Sequence, residues 1–128
     1  MTFTTTWLVQ DHLLESVSQG EVSVEEAVAQ GNSLAALVMS TAPPVHIILD
    51  LSDVIPSGFP MSEMPKLAAI KVPSSGWTVI VVQNRIIRLI SSIGLRLRGI
   101  DFRVFHTREQ ALDFLCQVDA ELRIKLQG

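Results

Sequence analysis

Hydrophobic and polar positions alternate along the first part of the chain and then change to helical spacing. Trp7, Val9, Leu13 and Val17 are apolar and suit β structure, which predicts short strands over residues 5–10 and 13–18. Gln10-Asp11-His12 supplies the turn between them, and Gly20 closes the second strand. Ser23-Val24-Glu25-Glu26 has the form of a capping box at a helix start. Val24, Ala27, Val28, Gly31, Leu34, Ala35 and Val38 then recur on one helical face, and Pro43 and Pro44 end the helix.

Residues 45–51 form the most apolar strand pattern. Val45, Ile47, Leu49 and Leu51 alternate, and Ile48 makes the opposite face apolar too. Burial on both faces is what a parallel sheet in an α/β domain produces. Residues 52–60, with Pro56, Gly58 and Pro60, form a loop, and residues 62–71 a short helix with Pro65 in its first turn. Pro73-Ser74-Ser75-Gly76 is a turn, and residues 77–83 are a second two-sided strand. Asn84 caps a helix over residues 85–98, which Gly99 closes. Residues 101–105 are the last strand. Thr107-Arg108-Glu109-Gln110 is another capping box. It starts a helix through Ala111, Leu112, Leu115, Val118 and Leu122, with Asp119 and Arg123 spaced as an i,i+4 pair. This alternation predicts an α/β fold with a mostly parallel sheet and right-handed crossovers.

Composition narrows the function classes. The 128 residues suit one domain over 1–128, and 48% hydrophobic against 18% charged leaves ample core material. A net charge of −3 gives no basic balance for nucleic acid. Cys116 is the sole cysteine, so no intrachain disulfide forms, which fits a reducing compartment. The opening residues lack a signal-peptide pattern, and no apolar run is long enough for a transmembrane segment. The expectation is a cytoplasmic protein.

Val45-His46-Ile47-Ile48-Leu49-Asp50-Leu51-Ser52-Asp53-Val54 resembles the central strand of STAS domains, the fold of the bacterial anti-anti-sigma factors. The chain is more similar still to a small SpoIIAA-like bacterial subgroup. There a Pro-Pro-Val-His strand start, a Gly-Trp strand start and an Arg-Val-Phe…Glu-x-Ala-Leu-x-Phe-Leu helix follow in series, as residues 43–54, 76–82 and 103–115 do here. The resemblance implies a five-stranded, mostly parallel sheet with about four helices, strands in sequence order, in a right-handed βα superhelix. It also implies a regulatory or protein-interaction domain, without cofactor. In anti-anti-sigma factors an Asp-Ser-Ser-Gly segment follows this strand and one serine is phosphorylated. This chain departs from that pattern, reading Ile55-Pro56-Ser57-Gly58-Phe59-Pro60. A phosphoacceptor at Ser57 is the sharper reading; an ordinary Ser-Gly turn is preferred.

Three polar clusters fall where parallel strands should end: Asp50, Ser52 and Asp53; Asn84 and Arg85; His106, Thr107 and Arg108. Ligands of open α/β sheets bind at such ends, although caps and turns are the preferred assignment. Asp50, Asp53 and His106 do not have metal-motif spacing. His46 is expected to be a hydrogen-bonded core or edge histidine, His12 a turn residue and Cys116 core filling. No nucleotide-binding glycine pattern or catalytic constellation is present.

In the helix over residues 85–98, ideal geometry places Arg85, Arg88, Ser92 and Arg96 on one face and Ile86, Ile90, Ile93 and Leu97 opposite. Leu89 and Leu95 fall at the borders, available to a partner; peripheral membrane contact through Arg85, Arg88 and Arg96 is the lesser alternative. The leading expectation is a non-enzymatic interaction domain with a protein partner. The alternative is an apolar-ligand or lipid carrier, since STAS-like domains resemble CRAL–TRIO domains in fold, with Phe59, Met61, Met64 and Leu67 in a lid over residues 55–71. Ile48, Ile80, Val82 and Phe105 suggest an apolar second sheet face, which predicts a covering element or a homodimer.

Overall fold

The computed structural model describes residues 2–21, 23–41, 44–55, 62, 76–97 and 101–127. In chain order the elements are β1 (Thr2–Val9), β2 (Leu13–Glu21), α1 (Val24–Met39), β3 (His46–Ile55), β4 (Thr78–Val81), α2 (Arg85–Leu97), β5 (Phe102–Phe105), α3 (Arg108–Val118) and α4 (Ala120–Gln127). The five strands form one sheet in the order β1-β2-β3-β4-β5. β1 and β2 are antiparallel, and every later pairing is parallel. The α/β architecture agrees with the sequence pattern, and the strand order with what the resemblance to STAS domains implies.

Local chemistry explains the element starts. The β1–β2 turn places Asp11 at φ 65°, a left-handed position that aspartate tolerates, and the His12 N–H donates to the Val9 carbonyl at 3.0 Å. At the start of α1 the Ser23 hydroxyl accepts from the Glu26 N–H at 3.2 Å and donates to the Glu26 carboxylate at 2.9 Å. Thr107 and Gln110 form a complete capping box for α3.

The core has two sides. On one, Ile47 packs with Leu34 and Val38 of α1, and Ile80 and Val82 pack with Ile87 and Leu95 of α2. On the other, Ile48, Val79 and Val81 pack with Ala111 and Leu115 of α3 and Leu122 of α4. Burying each such aliphatic side chain contributes about 1.5–3 kcal/mol. Parallel register sets these faces: Ile48 pairs with Val79, and Leu49 with Ile80.

Several expectations are corrected. Ile48 and Phe105 share a face, but Ile80 and Val82 lie on the other. α3 and α4 cover the face that a second subunit was invoked to cover, so that reason for a dimer falls away. β3 runs on to Ile55, past the end of β4, because Gln19, Gly20 and Glu21 of β2 still pair with Asp53, Val54 and Ile55. The single C-terminal helix is two helices, broken at Asp119. The short helix expected over residues 62–71 lies outside the described residues, apart from Ser62.

Candidate functional site

The groups expected at the strand ends are used in the scaffold. The Asp50 carboxylate accepts from the Ser52 N–H at 3.0 Å, a local turn-type bond formed inside β3. Asn84 caps α2, its side-chain oxygen accepting from the Ile86 and Ile87 N–H groups at 2.9 and 3.1 Å. Gln83, which no sequence pattern singles out, spans the gap between β3 and β5. Its amide donates to the Ser52 hydroxyl at 3.2 Å and to the His106 carbonyl at 2.5 Å. Ser52, Asp53, Arg85 and His106 are all exposed.

A second unforeseen residue, Glu15, lies beside this cluster. β2–β3 register pairs Glu15 with Ile48 and Val17 with Asp50, which puts both carboxylates on the α3 side of the sheet. Arg108 Nε donates to Glu15 Oε2 at 2.6 Å. That bond, with the added field of Glu109 and Asp50, pushes the guanidinium pKa upward. Several carboxylates around one guanidinium leave little positive potential there for an anionic ligand. Among the described residues, no three His, Cys, Asp or Glu side chains converge as a metal ion would require.

The most tightly held polar site is elsewhere, at the start of β3. His46 is 4% exposed and sits on the α3–α4 side of the sheet. The Trp77 N–H donates to its Nδ1 at 2.9 Å, so Nδ1 is the acceptor and the ring hydrogen is on Nε2. Nε2 faces Asp119 Oδ2 at 2.9 Å and donates to it. The other carboxylate oxygen, Oδ1, accepts from the Leu122 N–H at 3.1 Å and caps α4. The His46 bond lowers the Asp119 pKa, with the Leu122 N–H adding to it against partial burial. One carboxylate therefore breaks the C-terminal helix and ties the break to β3. The expected Asp119–Arg123 side-chain pair is replaced by these bonds. Gly76 completes the site: a Cβ there would lie 2.6 Å from the Val45 carbonyl oxygen and 2.8 Å from His46 Nδ1. A histidine beside a carboxylate suggests acid–base chemistry, but both ring nitrogens are engaged and the ring is buried.

α2 exposes two large apolar side chains close together, Ile86 and Leu89. Ile87 and Leu95 are buried at 4% and 5% exposure, whereas Ile86 and Leu89 are 56% and 58% exposed. The expected packing face is thus corrected by about a quarter turn. Ile86 points out, Leu95 points in, and Leu89 is exposed as expected. Arg85 and Arg88 flank the two exposed side chains, and Arg96 stands over the Phe102 ring at 5.9 Å from its centroid. Cys116 is partly buried in α3. Ser57, Phe59, Met61, Met64 and Leu67 lie outside the described residues. Among the described residues no helix is long and apolar enough to cross a membrane.

The sequence matches no family model and no curated protein. Its fold does match a solved structure, an uncharacterized protein from Shewanella loihica PV-4 of the DUF3478 family with a SpoIIAA-like fold. The two align at a TM-score of 0.58 and 18% identity, over 90% of this chain and 93% of that one. This chain has the SpoIIAA-like, STAS-type α/β fold.

Proposed function

We propose that this is a non-enzymatic interaction domain and that a protein partner docks on the outer face of α2. The observation that carries this reading is the exposure of Ile86 and Leu89, 56% and 58%, beside Arg85 and Arg88. Adjoining exposed apolar side chains mark interaction sites, and arginine is enriched in protein interfaces. α2 contains three arginines and no acidic residue. The complementary partner surface is therefore apolar with an acidic rim. The engaged ring of His46 supports the non-enzymatic part, and the resemblance to anti-anti-sigma factors supports a regulatory role. A phosphate at Ser57 is the sharper form of that role; unchanged partner binding by Ser57→Asp removes it.

The test is affinity capture with three versions of the chain: wild type, an Arg85→Glu/Arg88→Glu/Leu89→Glu variant, and an Asp113→Lys control at an exposed position of α3. A saturable partner kept by wild type and control, and lost by the α2 variant, is the expected result. Capture that ignores the α2 substitutions contradicts it. A second reading, peripheral contact with an anionic lipid surface, draws on the same residues, since arginines beside an apolar stripe also suit it. The apolar-ligand or lipid carrier with Phe59, Met61, Met64 and Leu67 in a lid rests on positions outside the described residues. Co-sedimentation with anionic vesicles, without a protein partner, would replace the first reading with the second.

A further inference from the structure

The two edges of the sheet are protected unequally. β5 is four residues long, carries the exposed Arg103 and follows Asp101. Short, charged edge strands are how soluble proteins keep a sheet from pairing with another chain. β1 has none of these features along most of its length. It is eight residues long, Thr-Phe-Thr-Thr-Thr-Trp-Leu-Val, with no charge and no proline. Its register with β2 is unbroken from Thr2 to Trp7, and the irregularity comes only between Trp7 and Val9, next to the turn. Its β-branched and aromatic residues favour the extended state. Among the described residues only β2 pairs with it, so its outer N–H and C=O groups have no strand partner.

We infer that β1 is a self-association edge, pairing antiparallel with β1 of a second copy across a two-fold axis. Three observations select this occupant. First, pairing β1 with β1 brings no charged side chain opposite another, because the strand has none. Second, Thr2, Thr4 and Thr6 are exposed and would meet threonines of the copy, a favourable cross-strand pairing. Third, pairing β1 with the β5 edge of another copy would build a head-to-tail ring or filament, and the short, Arg103-bearing β5 disfavours it. Two-fold pairing of β1 closes on itself and joins two five-stranded sheets into one continuous sheet. This gives self-association a surface after α3 and α4 are found to cover the sheet face.

Sedimentation equilibrium on the full chain tests the inference, with Thr4→Lys/Thr6→Lys as the edge variant and Arg103→Thr as the control. Wild type and control should sediment at twice the 14.1 kDa of one chain. The lysine variant should dissociate with a dissociation constant raised about tenfold or more. Circular dichroism checks that it stays folded. Amide exchange supplies a readout that needs no variant: β1 protection should rise with protein concentration. A monomeric wild type, a dimer indifferent to the lysines, or concentration-independent protection overturns the inference. None of these results bears on partner capture through α2, which is scored separately.

Discussion

His46 and Asp119 are bonded across 73 positions of sequence, Nε2 to Oδ2 at 2.9 Å, and the contact fixes the first residue of β3 to the break between α3 and α4. The direction of its pH dependence follows from the carboxylate. The folded pKa of Asp119 is below its ordinary value, chiefly through His46. The unfolded aspartate, with a pKa of about 4, therefore takes up a proton first on acidification. The pair's contribution is complete above that value and is lost as pH falls through the lowered folded value. Urea unfolding of wild type and Asp119→Asn from neutral pH down to about pH 2 checks this. The gap in stability between the two should be widest near neutrality and narrow under acid. A gap that widens with acid contradicts the assignment.

Gly76→Ala tests the close approach beside the same ring. Its Cβ would sit 2.6 Å from the Val45 carbonyl oxygen and 2.8 Å from His46 Nδ1, where backbone has little room to move. The expected loss is about 1–3 kcal/mol in chemical denaturation, with the Trp77 N–H bond weakened as the ring is displaced. A neutral substitution would mean that β3 and β4 are not held this closely.

A buried polar cluster under α1 gives a third prediction. Gln30 Nε2 donates to the Ser16 and Ser18 hydroxyls at 2.9 and 2.8 Å, and both serines are 0% exposed. Gln30→Leu removes this donor from both hydroxyls. Ser16 still accepts from the Thr5 hydroxyl at 3.3 Å, so the cost falls chiefly on Ser18 and should be about 1–3 kcal/mol. Adding Ser16→Ala and Ser18→Ala to Gln30→Leu should recover part of the loss. Calorimetric melting of the single and triple variants measures it, and a triple variant weaker than the single one contradicts the account.

The two sides of α2 should respond in opposite ways. Ile87→Ala opens a cavity in the core and should destabilise by about 2–5 kcal/mol. Leu89→Glu changes a side chain 58% exposed and should leave stability within about 0.5 kcal/mol. Denaturation midpoints of the two variants settle which side faces the sheet.

How much of this was legible in the sequence differs from element to element. Strand positions and the starts of α1 and α3 were readable, because two-sided apolar runs and capping residues are local signals; the strand order came from the resemblance to STAS domains. The packing face of α2 was not. Ile86, Ile87, Leu89, Ile90, Ile93 and Leu95 surround much of the helix, so periodicity alone selects no single face. The break at Asp119 has no Gly or Pro to announce it. It arises from a bond to His46, and nothing near position 119 names a partner 73 residues away. Gln83 and Glu15 were invisible for the same reason: their partners, Ser52, the His106 carbonyl and Arg108, become neighbours only through sheet register.

The α2 face is the centre of the functional account, and a photo-crosslinking residue in place of Leu89 tests it most directly. In its native cell the full chain should form a discrete protein adduct from position 89. That adduct should disappear with Arg85→Glu/Arg88→Glu and be absent when the probe replaces the exposed Asp113 of α3. Adducts to lipid alone, or the same adducts from both positions, would contradict the account.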